Sequence, residues 1–254
     1  MEMIDTHTHL YLEDFQVDIE DVLGRAKAEG VTRFYLPNVD SSSIDDLLKL
    51  EEKHPECIAM MGLHPCSVKE NVADELKLVE NWLGKRPFAA VGEIGLDYYW
   101  DKTFVTEQKD AFRKQINWAL ELNLPIVIHS RDSMQDCIDI VKEHQTGTLR
   151  GIFHCFGGSL DEAKQIMDLG FLMGIGGVVT YKKSGLAEVL PSIPLEYLVL
   201  ETDAPYLTPV PFRGKRNEPS YLKYVVTKMA EAMNISVEEI AAQTTSNAQK
   251  LFGS

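Results

Sequence analysis

Pro125-Ile-Val-Ile-His129 starts with a residue that has no amide proton, runs through three β-branched or aliphatic side chains and stops on an imidazole. Three consecutive apolar residues leave no polar face, so the run fits a strand buried on both sides, as in a parallel sheet. Tyr197-Leu-Val-Leu200 has the same form. Working outward, short apolar runs recur at residues 3–6, 33–38, 57–63, 88–94, 149–154 and 171–175. Helical periodicity lies between them, at 17–29 and at 107–122, where Ala111, Ile116, Ala119 and Leu120 fall on related faces. Ser41-Ser-Ser supplies hydroxyls suited to an N-cap. Eight strands in 254 residues give about 32 residues per strand–helix unit, the size of a βα repeat.

Two architectures share this pattern. A doubly wound open sheet would gather ligand-binding groups at one switch point. An eight-stranded barrel would gather them around the whole ring, at the C-terminal ends of its strands. The polar residues decide between the two. His7, His9, His64, His129 and His154 each stand at or just past the end of an expected strand, and Glu93 and Asp203 hold similar places. One such group therefore recurs at roughly the repeat length of a βα unit, around the whole chain. The expected fold is α/β, a single (β/α)8 TIM barrel formed by one domain over residues 1–254, with a metal site at its C-terminal mouth. His54 and His144 are set aside, because both end helical segments.

In His7-Thr8-His9, strand parity points residues i and i+2 to one side, so both imidazoles can face one cation. Four imidazoles with the carboxylates of Glu93 and Asp203 are too many for one tetrahedral ion. They suit two divalent ions about 3.5–4 Å apart with one bridging carboxylate, a site for hydrolysis. Imidazole and carboxylate donors admit Mg2+, Mn2+ or Zn2+.

Composition removes other classes. Hydrophobic residues make up 44% and charged residues 25%, which is globular composition. No apolar run approaches the roughly 18 residues that span a bilayer, and the first residues lack the pattern of a signal peptide. A cytoplasmic protein without a membrane partner, monomeric or weakly homo-oligomeric, is expected. The four cysteines form no C-x-x-C pair and read as reduced thiols. The net charge of −14 rules out a broad basic face that coats duplex DNA. It still permits an enzyme that grips a strand end through cations and a few local basic residues.

The segments Ile4-Asp-Thr-His-Thr-His-Leu10, Gly62-Leu-His-Pro65, Val91-Gly-Glu-Ile-Gly-Leu-Asp-Tyr98, Pro125-Ile-Val-Ile-His-Ser-Arg131, His154-Cys-Phe-Gly-Gly158 and Leu200-Glu-Thr-Asp-Ala-Pro205 together resemble the TatD family of metal-dependent deoxyribonucleases. Arg213-Gly-Lys-Arg-Asn-Glu-Pro219 and Asn247-Ala-Gln-Lys-Leu-Phe252 fit as well, so the resemblance spans the chain. It implies a TIM barrel of the amidohydrolase superfamily holding two divalent cations. His7, His9, Glu93 and Asp203 would surround the first, and Glu93 would bridge to a second held also by His129 and His154. Where many relatives in the superfamily bridge with a carbamylated lysine, this chain has Glu93.

The expected activity is phosphodiester hydrolysis, as a 3′-to-5′ exonuclease on single-stranded DNA. Asp203 and Glu93 are the candidate catalytic groups, with Asp203 either orienting water and accepting its proton or serving only as a ligand. Glu201 shares its side by strand parity, as a weak ligand or as a partner of a histidine. His64 either donates to substrate phosphate or packs the rim. Arg131 suits a bidentate phosphate contact, against a salt bridge with Asp132. Tyr98-Tyr99-Trp100 either stacks an unpaired base or packs its loop. Lys182, Lys183, Arg213, Lys215 and Arg216 concentrate positive charge after the seventh and eighth strands. The alternative is a dinuclear hydrolase of a small ester, lactone or amide, and a barrel that only binds metal is a third reading.

Overall fold

The structure, a computed structural model, describes residues 1–253. Eight strands alternate with helices: β1 Met3–Asp5, β2 Val31–Leu36, β3 Cys57–Ala59, β4 Val91–Asp97, β5 Ile126–Arg131, β6 Gly151–Phe153, β7 Leu172–Ile175 and β8 Leu198–Leu200. All pairings are parallel, in the sequential orders β1-β2-β3 and β4 to β8. Backbone bonds join the two sheets at both seams. Met61 bridges to Val91 between the third and fourth strands, and the Thr6 amide donates to the Leu200 carbonyl between the eighth and first. The ring is a (β/α)8 barrel, with every strand beside its sequence neighbour. An open doubly wound sheet would need the strand order to reverse.

The barrel is filled from within by Ile4, Tyr35, Met60, Val127, Ile152 and Val199. Its N-terminal end is plugged by the last helix, α9 (Val237–Phe252), whose Ala248 and Leu251 join that cluster while Phe252 stacks on Tyr35 at 3.8 Å between centroids. Only the C-terminal mouth is left for polar groups. Outside the ring, the helices α1 (Ile19–Ala28), α2 (Ile44–Lys53), α3 (Val72–Lys85), α4 (Val105–Leu122), α5 (Met134–His144), α6 (Leu160–Asp168) and α8 (Leu222–Met233) bury one face each against the strands. The seventh crossover contains only a four-residue helix, α7 (Leu186–Val189), and short 3-10 turns. Among the described residues no helix is long and apolar enough to cross a membrane. All four cysteines are free.

Three local expectations change. β3 ends at Ala59 instead of reaching Leu63, because Met60 and Met61 bond to different neighbours, Leu36 and Ala90. β4 runs from Val91 to Asp97, past the expected end at Ile94. Gly95, at φ 139°, reads as a strand breaker, yet a Cβ there would lie 2.1 Å from the His129 carbonyl oxygen. Glycine is what lets β4 and β5 approach and continue. The serines before α2 do not cap it: the Ser43 hydroxyl accepts from the amides of Val39 and Asp40 and donates to Asn38. It fixes the loop after β2 instead.

Candidate active site at the barrel mouth

Glu93 is the hub. Its backbone is pinned by Asn38, whose amide donates to the Gly92 carbonyl while the Glu93 amide donates to the Asn38 carbonyl. Its carboxylate is buried and faces two groups of imidazoles. Oε1 lies 2.9 Å from His129 Nδ1, 3.0 Å from His154 Nε2 and 3.3 Å from His64 Nε2. Oε2 lies 3.1 Å from His7 Nε2 and 3.7 Å from His9 Nε2. Asp203 Oδ1 completes that second side, 3.6 Å from His7 and 3.4 Å from His9. The rings of His7 and His154 stack at 3.8 Å. All seven expected residues are thus brought together from β4, β5 and the segments after β1, β3, β6 and β8, with His7-Thr8-His9 lying past the end of β1 and not in strand as expected, while His54 and His144 stay outside.

In two of the rings, His9 and His64, hydrogen bonds fix which nitrogen carries a lone pair. The single proton of the Tyr11 hydroxyl goes to the Pro37 carbonyl at 2.6 Å. Its oxygen, 2.8 Å from His9 Nδ1, must therefore accept, which leaves Nε2 of His9 bare toward Asp203 and Glu93. His129 stands between two carboxylates, with Nε2 2.8 Å from Asp97 Oδ2 and Nδ1 2.9 Å from Glu93 Oε1. Asp97 is itself held by the amides of Tyr99 and Trp100. His154 Nδ1 lies 3.5 Å from Glu201 Oε1, so its Nε2 faces Glu93. Glu201 Oε1 thus stands beside a histidine at ion-pair distance, without a hydrogen bond to it. Its Oε1 also accepts the Cys155 amide, and a Cβ on Gly174 would sit 2.0 Å from its Oε2. His64 differs. Its Nδ1 accepts the Cys66 amide at 3.0 Å, so the neutral ring has its proton on Nε2 and is a donor.

Charge follows the same geometry. Burial opposes ionisation of Glu93, but His154, His64, His7 and His129 hold its carboxyl well below the usual carboxylate range. Asp203 is lowered against burial by its bond to His9 and by His154 and His7. Burial disfavours the charged forms of His129 and His154, yet both are raised, by Asp97 and Glu93 in one case and by Glu93 and Glu201 in the other. His7 is lowered by burial and by the charge of His154.

The donor set fits divalent cations. Both ring nitrogens of His7 are buried without a hydrogen-bond partner, as are His154 Nδ1 and Glu201 Oε2. A buried imidazole with two idle nitrogens costs free energy unless something accepts its lone pair. Three sets of donor atoms lie within 4.8 Å of one another: His7, His9 and Asp203; His7, Glu93 and His154; and His64, Glu93 and His129. The third set includes His64, whose Nε2 carries a proton in the neutral ring. That leaves His129 and His154, which meet on Glu93 Oε1.

A cavity of about 660 Å³ opens beside the cluster, lined by Tyr98, Arg131, Cys155, Gly157 and Ser159 among others. The Arg131 guanidinium stacks on Tyr99 at 3.8 Å, so its contact is aromatic and not an ion pair with Asp132. The Tyr98 hydroxyl donates to Asp136 Oδ2 at 2.6 Å, which anchors the loop while the ring lines the cavity. The basic rim is smaller than the sequence implied. Arg216 forks onto Asp18 at 2.8 and 2.7 Å, and Arg213 stacks on Tyr181. Asp97, Tyr11 and Asn38 were missed. Asp97 shares strand parity with Glu93 and Tyr11 lies two residues past His9, but the backbone role of Asn38 leaves no trace in sequence.

A parallel α/β barrel with clustered imidazoles and carboxylates at its C-terminal mouth has the architecture of a metal-dependent hydrolase. The family described as TatD related DNase matches residues 4–253. The chain is 43% identical over 251 residues to the uncharacterized metal-dependent hydrolase YabD of Bacillus subtilis, covering 98% of each protein. It is 34% identical over 258 residues to the 3′-5′ ssDNA/RNA exonuclease TatD of Pantoea ananatis, covering 99% of each. Among solved structures, YJJV, a TatD homolog from Escherichia coli K12, superposes with a TM-score of 0.94 at 32% identity, over 99% of this chain and 98% of that one. The protein belongs to the TatD family of metal-dependent hydrolases.

Proposed function

We propose that the protein is a deoxyribonuclease that removes nucleotides from the 3′ end of single-stranded DNA. Two divalent cations would be held by His7, His9, Glu93 and Asp203 and by Glu93, His129 and His154. The observation that carries this reading is Glu93, a buried carboxylate whose two oxygens each face a separate set of imidazoles. When bound, such cations lower the pKa of water and offset charge on phosphate oxygens.

The protein's own groups do the rest. Asp203, ionised at neutral pH, orients the attacking water and accepts its proton at a carboxylate oxygen. His64 directs its Nε2 proton into the site and donates to a phosphate oxygen. Arg131, exposed at the cavity edge, offers a planar fork to the phosphate. Tyr11 holds the tautomer of His9, and Asp97 and Glu201 stand beside the ring nitrogens of His129 and His154 that turn away from Glu93. The exonuclease named in Pantoea ananatis supports the choice of substrate. Turnover of single-stranded oligonucleotides with Mg2+ or Mn2+, measured beside a panel of esters, lactones and amides, tests it. Release of nucleotides is expected, and turnover confined to the panel would replace this reading with hydrolysis of a small molecule.

A further inference from the structure

Among the described residues only three aromatic side chains are exposed: Tyr99 at 54%, Trp100 at 69% and Tyr206 at 54%. None of the three is far from the cluster. Tyr99 and Trp100 follow β4, and their amides donate to the Asp97 carboxylate that holds His129. Tyr206 follows β8, its amide donates to the Asp203 carbonyl, and its ring centroid is 6.0 Å from that of His9. In a ring of eight sequentially ordered strands, β4 and β8 stand opposite each other. The exposed rings therefore flank Glu93 and Asp203 from opposite walls.

Exposed aromatic surface confined to the two walls of a polar site calls for a ligand with flat apolar faces on both sides of a charged centre. Two unpaired nucleobases joined by a phosphodiester have that form, and a small ester has not. In a duplex the faces are covered by neighbouring bases. We propose that Tyr99 with Trp100 on one wall, and Tyr206 on the other, are stacking platforms for the two nucleobases flanking the bond to be cut. Arg131, face to face with Tyr99, places its charge beside that path. The inference rests on the nuclease reading and adds where the strand lies and why it must be single.

The test uses the full-length metal-bound enzyme, a short oligothymidylate, and the same oligomer carrying abasic residues on both sides of its 3′-terminal phosphodiester. The variants are Tyr99→Leu with Trp100→Leu, and Tyr206→Leu. Each is expected to raise KM on the intact oligomer about tenfold, within the range of one base–aromatic stack, with kcat little changed. Wild type should lose affinity for the abasic oligomer, and the variants should lose no more. Metal titration should match wild type, showing the cluster intact. Variants with wild-type KM, or with an equal penalty on both oligomers, overturn the platforms alone. Wild type inactive on every oligonucleotide overturns the nuclease reading and this inference with it.

Discussion

Tyr11→Phe removes one oxygen that performs two tasks, donating to Pro37 and accepting from His9 Nδ1. Without it the Nδ1 proton has no acceptor, whereas the other tautomer gains one: an Nε2 proton could reach Asp203 Oδ1, now 3.4 Å away. The lone pair of His9 then turns from the site into the barrel wall. Loss of such an orienting partner weakens metal binding by about 10- to 100-fold, or roughly 1.4 to 2.7 kcal/mol. The bare Pro37 carbonyl and His9 nitrogen also destabilise the fold, by about 1 to 3 kcal/mol. Calorimetric titration with Mn2+ reads the first effect and urea unfolding the second. Nitrogen NMR of His9 in metal-free protein reads the tautomer directly, with Nε2 moving from an unprotonated to a protonated shift. A folded variant with unchanged Mn2+ affinity and unchanged His9 shifts would refute the reasoning.

The other substitutions probe separate parts of the site. Glu93→Ala should abolish turnover while circular dichroism stays native, since it takes away the group both imidazole sets share; a near-normal rate would remove Glu93 from the centre of the mechanism. Arg131→Ala should raise KM on oligonucleotides several-fold with metal titration unchanged, and equal loss in both measurements would mean the arginine supports the fold of the site instead. The Asp5 carboxyl is raised by burial to about 8, against bonds from Thr202 and His7 that lower it. The folded protein thus holds a proton that the unfolded chain releases near pH 3.8, and this contribution to stability fades as pH climbs from there toward about 8. Asp5→Asn, compared with wild type in metal-free thermal melts at pH 6 and pH 8, should show the smaller drop in Tm; identical drops would place the pH dependence elsewhere.

How far the sequence could be read depended on what each residue answers to. Runs such as Ile126-Val-Ile128 announce a strand buried on both faces, because only apolar side chains are tolerated there. His7 and His9, His129 and Asp203 announced a site because polar groups at strand ends have no structural reason to recur at one spacing. Asp97 escaped because Gly95 makes β4 look finished at Ile94, and the close approach of His129 that explains Gly95 is a long-range contact. Arg216 looked like part of a basic rim, but its partner Asp18 lies nearly two hundred residues away in the chain.

Alternation of strand and helix, the place of each candidate ligand in its repeat, and the exclusion of a broad basic surface were fixed by local chemistry and needed no coordinates. Tertiary structure alone decided the rest: the proton positions on His9 and His64, the hub role of both Glu93 oxygens, and the opposition of Tyr99 and Trp100 to Tyr206. The reason is physical. Side-chain type and periodicity act over a few residues, whereas a tautomer is set by whichever donor or acceptor the folded chain brings within about 3 Å, from any distance along it.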